Sequence, residues 1–342
     1  MSPEVLSIDG AMDEGGGQIV RMAVALSAIT GKAVEISRIR AKRSVPGLAG
    51  QHCAAVQAVG RMCHAQVTGC EKGSTRISFF PDDIRKADIT LDIGTAGSIP
   101  LVLQAWLPVA LRTGGAITVT GGTEVQYSPT IDYLEQVFLP VLRRSGAVIT
   151  VEIFSRGYYP RGGGRVRVLV DPSVLLPITL DTTAEPGEGH GRQEVRTRCG
   201  ICSCSSNLPD HVAERQARRA MEILCPDPGK NCTLRIDRIS GVSTGSSCTV
   251  WMGAKGGSAL GERGVPAETV GEQAAQELIR AIGSPGLADV HLSDQLLLYL
   301  ALHGGTFTTS AVTAHARAMC RLLGSFGYGI SCTRTGMVTF SA

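Results

Sequence analysis

A histidine at the start of a short apolar helix is the strongest candidate for chemistry in this sequence. The stretch TTSAVTAHARAMC, residues 308–320, places His315 where a helix is expected to begin. A neutral imidazole is a nucleophile, and the partial positive charge at a helix N-terminus disfavours the protonated form. For a histidine taken alone, however, an ordinary surface position is the more common explanation.

Three glycines follow an acidic residue near the N-terminus. Glu14 precedes Gly15 to Gly17, and Arg21 comes two helical turns later. Glycines at a helix N-terminus let backbone N–H groups approach a phosphate, although the same residues can simply cap the helix. The residues alone leave both interpretations open.

A basic loop lies between the next predicted strand and helix. The run RIRAKR, residues 38–43, contains Arg40 and Arg43 and continues through PGLAGQH to Gln51 and His52. A lone arginine is normally a solvated surface charge. Two arginines around one loop favour an anion site, because guanidinium groups bind phosphates through charge-assisted hydrogen bonds.

Asp294 and Gln295 stand at the predicted beginning of an apolar helix, SDQLLLYLALHGG, residues 293–305. Asp294 could serve as its N-cap with no functional role. Alternatively, both side chains belong to the same cleft as His315 and the basic loop.

An internal repeat brings these residues to one side of the molecule. Three short apolar strands close on Asp9, Asp92 and Asp181, and the first two are followed by a glycine-containing turn and an apolar helix. In each case a β-rich run, a second helix and two further strands follow. The predicted fold class is α/β (α+β), with three repeats of a β-α-β-α-β-β unit in one large domain. Chance similarity of amphipathic segments is the alternative.

The third repeat is interrupted, because the helix at 293–305 lies far downstream of its strand. We therefore predict a large domain of residues 1–182 and 286–342 and a smaller α/β insert domain at 183–285. The polar run TTAEPGEGHGRQ marks the entry to the insert. We expect the insert to hold none of the candidate site residues. A glycine-rich stretch predicts a mobile crossing near its end, at Gly256, Gly257, Gly261 and Gly264.

Composition indicates a soluble cytoplasmic protein. The chain has 342 residues, is 43% hydrophobic and carries a net charge of +3, which is too small for a broad nucleic-acid-binding surface. The N-terminus lacks the pattern of a signal peptide, and the longest apolar run is too short to span a bilayer. The sequence does not distinguish a monomer from a homodimer.

Eleven cysteines are scattered along the chain, and one tight group stands out. Cys199, Cys202 and Cys204 form a C-x2-C-x-C pattern. A zinc site would need a fourth ligand at a recognisable spacing, so cysteines that line a strand are the favoured interpretation.

A family resemblance joins these motifs. The run RGYYPRGGGRV, residues 156–166, resembles the signature of the RNA 3′-terminal phosphate cyclases, which is Arg-Gly, two residues, Pro, one residue and three glycines. EGGGQIVR, IRAKRSVPGLAGQH, IGTAGS, HLSDQLLLYLAL and SALGERG resemble further blocks of that family in the same order. The resemblance covers essentially the whole chain.

The resemblance implies an ATP-dependent reaction at the 3′-phosphate of an RNA. The matched nucleophile is His315, which would form a covalent adenylyl-histidine on the way to a 2′,3′-cyclic phosphate. Glu14 is the candidate ligand for Mg²⁺ or Mn²⁺. Residues matched to RNA-phosphate binding are Arg21, Arg40, Arg43, Gln51 and His52. Residues matched to nucleotide binding are Gln104, His291, Leu292, Ser293, Asp294 and Gln295.

Two other functions fit parts of the sequence. A non-catalytic relative that binds ribosomal RNA during ribosome assembly would use the same cleft without chemistry, and the presence of His315 counts against it. An enolpyruvyl-type transferase, built from related repeats, would suit the arginine loop but not RGYYPRGGG. The physiological RNA, the preferred metal and the role of the insert stay open.

Overall fold

The computed structural model describes residues 5–13, 16–180, 199–226 and 232–342. Glu14, Asp181 and the predicted linker at 182–193 lie outside these ranges. Strands and helices alternate along the described chain, so the predicted α/β class is confirmed.

The first sheet is mixed, with one parallel pair at its edge. Its elements in chain order are β1 (Val5–Asp9), α1 (Gly17–Thr30), β2 (Ala33–Ser37), α2 (Gly50–Met62), β3 (Gln66–Thr68) and β4 (Ile77–Phe80). The strand order is β1-β2-β4-β3, in which β1 and β2 are parallel and the other pairs are antiparallel. Helix α1 ends at Gly31, whose left-handed φ of 71° is a common helix C-terminal conformation.

The second sheet has the same arrangement. Its elements are β5 (Ala87–Asp92), α3 (Ile99–Thr113), β6 (Gly115–Gly121), α4 (Ile131–Tyr133), a π-helical turn (Leu134–Phe138), α5 (Leu139–Arg144), β7 (Val148–Ser155) and β8 (Gly164–Asp171). The order is β5-β6-β8-β7, again with one parallel pair, β5 and β6.

Between the second sheet and the last one lies a separate α/β segment. After β9 (Ile178–Thr179) come β10 (Cys199–Ser206), α6 (His211–Leu224), β11 (Cys232–Ile239), β12 (Gly245–Met252), β13 (Lys255–Leu260) and α7 (Ala267–Gly283). The sheet order is β11-β10-β12-β13. The mobile crossing predicted at Gly256 and Gly257 is wrong, because both residues lie in β13 and pair with β12. A Cβ at Gly257 would meet the backbone of α7, so the glycine allows this helix to pack closely on the strand.

The last sheet combines β9 with the C-terminal elements. These are α8 (Val290–His303), β14 (Gly305–Thr309), α9 (Ala314–Ser325), β15 (Ser331–Thr335) and β16 (Met337–Ser341). The order is β9-β14-β16-β15, and β9 is parallel to β14.

One continuous hydrophobic core joins the sheets that contain β1, β5 and β9. It includes fully buried residues such as Trp106 on α3, Leu296 on α8 and Phe307 on β14. Burying a side chain such as Leu296 contributes about 1.5–3 kcal/mol. A second cluster, around Ile201, lies between the β10–β13 sheet and its helices. In the described ranges, every helix is too short or too polar to cross a bilayer.

Candidate active site

A cavity of about 990 Å³ opens between α1, α3, α8 and the segment from β13 to α7. Leu292 and Ser293 are fully buried and do not line it. Glu14 lies outside the described residues. The predicted site residues that the structure brings together around the cavity are Arg21, Arg40, Arg43, Gln51, His52, Gln104, His291, Asp294, Gln295 and His315.

His315 is the second residue of α9 and faces the cavity from an exposed position, as predicted. Thr313 caps this helix, since its Oγ1 accepts the Ala316 N–H at 2.8 Å. The same hydroxyl donates to Asp294 Oδ1 at 2.6 Å. The start of the His315 helix is therefore fixed to α8 at the cavity wall.

Arg21 and His52 form a buried cationic corner. Arg21 is 6% exposed, its Nε has no hydrogen-bond partner within the described ranges, and burial lowers its pKa to about 10, so it stays charged at neutral pH. His52 Nδ1 accepts the Ala49 N–H at 2.9 Å, which leaves the proton of the neutral ring on Nε2. Burial, followed by the charges of Arg21 and Arg40, lowers the pKa of His52 to about 3. This corner presents donors to an anion.

The N-terminus of α1 lies against the same corner. A Cβ at Gly17 would overlap the imidazole of His52, and a Cβ at Gly16 would lie 3.3 Å from Arg43 Nη2. Because both residues are glycines, the backbone N–H groups at the start of α1 can lie close to the side chains of His52 and Arg43. This arrangement favours phosphate binding over simple capping. Arg40 has a left-handed φ of 52° and donates from Nη1 to the Gly47 carbonyl at 2.8 Å, so it also fixes the loop.

Polar side chains on α3 and α8 form the opposite wall. Gln104 Nε2 donates to Gln295 Oε1 at 2.9 Å, and Gln295 Nε2 donates to the His291 carbonyl at 3.0 Å. His291 Nε2 lies 3.7 Å from Glu277 Oε1 on α7. The interaction with Glu277 raises the pKa of His291. The two amides hold each other in a fixed orientation, which suits them to select a polar ligand edge.

Asp294 does not cap α8, so the alternative in which it serves only as the N-cap does not hold. The helix begins earlier than the sequence indicated, at Val290, and its N-cap is Asp289, whose Oδ1 accepts the N–H groups of His291 and Leu292 at 2.9 and 2.8 Å. Asp289 also accepts from the Tyr133 hydroxyl at 2.7 Å. One turn into the helix, Asp294 is left to contact Thr313 and the cavity.

Comparison with known proteins identifies the family of this chain. A family model described as "RNA 3'-terminal phosphate cyclase" matches residues 12–329. The chain belongs to the RNA 3′-terminal phosphate cyclase family. It is 45% identical over 316 residues to an RNA 3′-terminal phosphate cyclase of Methanococcoides burtonii, covering 92% of both chains. Proteins of the same name from Archaeoglobus fulgidus and Pyrobaculum aerophilum are each 43% identical, covering 94% and 93% of this chain and 95% and 92% of theirs. The predicted family and the prediction of an enzyme are confirmed.

The cyclase-like signature RGYYPRGGG does not line the cavity. Its Arg156 is 2% exposed and donates to Glu124 at 2.7 Å, to Asp132 at 2.5 and 2.9 Å and to Asp237 at 3.0 Å. Asp237 belongs to β11. Glu124 follows β6 and Asp132 lies in α4, so both belong to the segment that forms the second sheet. Arg156 therefore connects the β10–β13 sheet to the rest of this cyclase-family protein.

Sequence reasoning missed one whole wall of the cavity. Gln273, Glu277 and Arg280 on α7 line it, as do residues of the loop at 125–130. The segment predicted as an insert, 183–285, thus lines part of the cavity, although it holds none of the site residues predicted from the sequence. The spacing of the three α7 residues puts them on one helix face, but the same pattern is typical of an ordinary solvated face and did not single them out.

Proposed function

We propose that this protein converts the 3′-terminal phosphate of an RNA into a 2′,3′-cyclic phosphate at the expense of ATP. The observation that carries the proposal is the cavity that His315 shares with the corner formed by Arg21 and His52 and with the hydrogen-bonded amides of Gln104 and Gln295. The names of its relatives in the RNA 3′-terminal phosphate cyclase family support the same substrate and product.

The proposed reaction has three displacements at phosphorus. A ring nitrogen of His315 attacks the α-phosphate of ATP, a nitrogen–phosphorus bond forms, and pyrophosphate leaves. An oxygen of the RNA 3′-phosphate then attacks the adenylyl group and releases the histidine. Finally, the neighbouring 2′-hydroxyl attacks the activated 3′-phosphorus, AMP leaves, and the hydroxyl proton goes to solvent. Dividing one difficult step in this way is the logic of covalent catalysis.

The residues of the cavity divide into two groups in this scheme. Arg21, Arg43 and the neutral His52 hold the RNA phosphate through N–H donors, with Arg40 and Gln51 shaping their loop. Gln51 Oε1 accepts the Ser98 N–H at 2.8 Å, which ties α2 to the start of α3. Gln104, Gln295, Asp294 and His291 contact the nucleotide. Leu292 and Ser293 support that wall from the core.

A divalent cation, Mg²⁺ or Mn²⁺, completes the proposal, with Glu14 as its ligand. Carboxylate oxygens are the donors that Mg²⁺ prefers. Asp13, which precedes Glu14 in the sequence, has a buried carboxylate oxygen, Oδ2, with no hydrogen-bond partner within the described residues, but its Oδ1 pairs with Arg321 at 3.4 Å and Asp13 does not line the cavity. The ion would neutralise charge on the triphosphate and the departing pyrophosphate.

We further propose that the sheets containing β1, β5 and β9 are copies of one unit and that 183–285 is an insert domain in the third copy. Support comes from the strand order, in which the fourth strand of each unit lies between the second and third.

All eleven cysteines are free thiols, which supports a reducing, cytoplasmic location.

The reaction is tested with an RNA that ends in a labelled 3′-phosphate. We expect ATP and Mg²⁺ to make the label resistant to phosphatase, and His315→Ala to abolish this conversion. His211→Ala is the matched control, because His211 is also exposed at the start of a helix but does not line the cavity. Tight RNA binding by the wild-type protein without any product would instead favour a non-catalytic RNA-binding role.

A further inference from the structure

The thiols of Cys199, Cys225 and Cys232 converge at one end of the β10–β13 sheet. Their three sulfur atoms all lie within 4.8 Å of one another. Cys199 is buried, whereas Cys225 and Cys232 are half-buried, so the cluster can be reached from solvent. None of the three lines the cavity described above.

The fold explains this convergence. Cys199 begins β10 and Cys232 begins β11, and the two residues are direct partners in the parallel register. Cys225 is the C-cap of α6, the helix that connects these strands and packs on the same face. Three separate elements therefore each deliver one sulfur to one point.

The cysteine pattern of β10 divides between the two faces of the sheet. Successive residues of a strand point to opposite sides, so Cys202 and Cys204 face away from Cys199. On their side the sulfurs lie beside Asp132. That carboxylate is already contacted by the guanidinium groups of Arg156 and Arg235. Two cations next to the same carboxylate compete with a metal ion there, so this second cluster is the weaker candidate.

We propose that Cys199, Cys225 and Cys232 bind a thiophilic divalent cation of the zinc class. With Zn–S bonds of about 2.3 Å, tetrahedral thiolates lie about 3.8 Å apart, so small side-chain movements close the described cluster around an ion. The three thiols lose their protons to solvent on binding. Three thiolates and a solvent molecule complete a four-coordinate site. Sulfur ligands select zinc over Mg²⁺, which prefers oxygen.

The edge of this sheet gives the site a structural purpose. Among the strands that the structure describes, β11 pairs only with β10, and each of its residues from Cys232 to Ile239 is partly or fully exposed. The apolar cluster beneath this sheet is small. An ion held by the starts of β10 and β11 and the end of α6 would fasten the edge strand and the helix together. Helix α6 in turn forms ion pairs with α7, which lines the active-site cavity, through Arg215 and Glu268.

Cobalt spectroscopy tests the site in the full-length protein. The reduced, chelator-treated protein is titrated with Co²⁺ in excess Mg²⁺, which occupies oxygen-ligand sites. We expect thiolate-to-cobalt charge-transfer absorption and the strong visible bands of tetrahedral cobalt, saturating at one equivalent and lost on addition of Zn²⁺. Absence of charge-transfer absorption in the folded wild-type protein would overturn the proposal without bearing on RNA cyclisation.

Single variants identify the ligands. Cys225→Ser and Cys232→Ser should each lose the charge-transfer absorption, and Cys332→Ser, which changes an exposed cysteine on β15, should keep it. Retention of the full spectrum in both Cys225→Ser and Cys232→Ser would contradict the assignment. A Cys225–Cys232 disulfide that persists under reductant and prevents cobalt binding would also contradict the assignment. Peptide mass mapping detects such a disulfide.

Discussion

Thr313 Oγ1 donates a hydrogen bond to Asp294 Oδ1 at 2.6 Å, which links the cap of the His315 helix to the α8 wall of the cavity. The same oxygen accepts the Ala316 N–H at 2.8 Å. Because one hydroxyl fixes both the helix start and the carboxylate, the position of His315 depends on a residue that takes no part in the proposed chemistry.

Removing that hydroxyl should slow the first chemical step. Thr313→Ala loses the helix cap, which should lower the free energy of unfolding by about 1 kcal/mol. It also loses the hydrogen bond to Asp294, which should slow adenylylation by up to about tenfold. Thr313→Ser keeps the oxygen and should retain most of both. Equal rates for Thr313→Ala and the wild type in folded protein would show that this contact does not position His315.

Gly17 should be required because of His52 rather than for its own backbone conformation. In the wild-type protein, Gly17→Ala destabilises folding, since the new Cβ overlaps the His52 imidazole. In a His52→Ala background the overlap disappears, and the better helix propensity of alanine should make Gly17→Ala neutral or stabilising by up to about 1 kcal/mol. A double-mutant cycle in urea measures the coupling.

The matched control for this cycle is Gly324→Ala on α9, where an added Cβ meets nothing within 4 Å. It should show the same small effect in both backgrounds. If Gly17→Ala is equally destabilising with and without His52, the overlap is not what requires glycine there.

The basic loop should matter for the RNA more than for ATP. Arg43→Ala is expected to weaken binding of 3′-phosphorylated RNA by roughly ten- to hundredfold, the loss of one charge-assisted contact, while adenylylation changes little. Arg38→Ala is the control, because Arg38 lies in the same loop but pairs with Asp9 at 3.1 Å and does not line the cavity. A collapse of adenylylation with unchanged RNA binding would assign Arg43 to the ATP site instead.

The buried charge network around Arg156 should make stability depend on pH. Arg156 and Arg235 supply two positive charges next to the carboxyl groups of Asp132, Asp237 and Glu124. Burial raises the pKa of Glu124 from 4.5 to about 8. Between pH 4.5 and about pH 8, Glu124 keeps its proton in the folded protein but has lost it in the unfolded chain. The free energy of unfolding therefore falls as the pH rises through this range, by up to about 1.4 kcal/mol per pH unit.

Glu124→Gln should remove that dependence. From pH 5 to about pH 8, the free energy of unfolding of the wild type should fall relative to that of the variant, and the difference should change steadily with pH. Glu71→Gln, at an exposed position, should follow the wild-type curve. Parallel curves for Glu124→Gln and the wild type would mean that Glu124 is ionised in the folded state throughout.

The helices were the most predictable part of this structure. Long apolar runs ended by glycine, as in α1, fix both the type and the end of a helix. Boundaries that depend on a capping contact were not predictable. Asp289 caps α8, and its carboxylate also accepts from Tyr133, a partner that lies far away in sequence. Strand β13 was missed because Gly256 and Gly257 resemble a turn, whereas their small size serves helix packing.

The candidate site was predictable except for the wall that α7 and the loop at 125–130 form. Residues such as Arg43 and His315 stand out by type and spacing, and the cavity does bring them together. Glu277 and Arg280 were not recognised because they lie on an amphipathic helix with an ordinary charged face, and only the folded structure shows that this face lines the cavity. Arg156 stood out in the signature, but its buried role depends on partners from distant segments.

The central claim is that His315 becomes covalently adenylylated, and labelling with α-phosphate-labelled ATP tests it most directly. After incubation with Mg²⁺ and denaturing electrophoresis, we expect label on the wild-type protein and on His211→Ala but not on His315→Ala. The adduct should be acid-labile and alkali-stable, as a phosphoramidate is. Normal labelling of a folded His315→Ala protein would contradict the account.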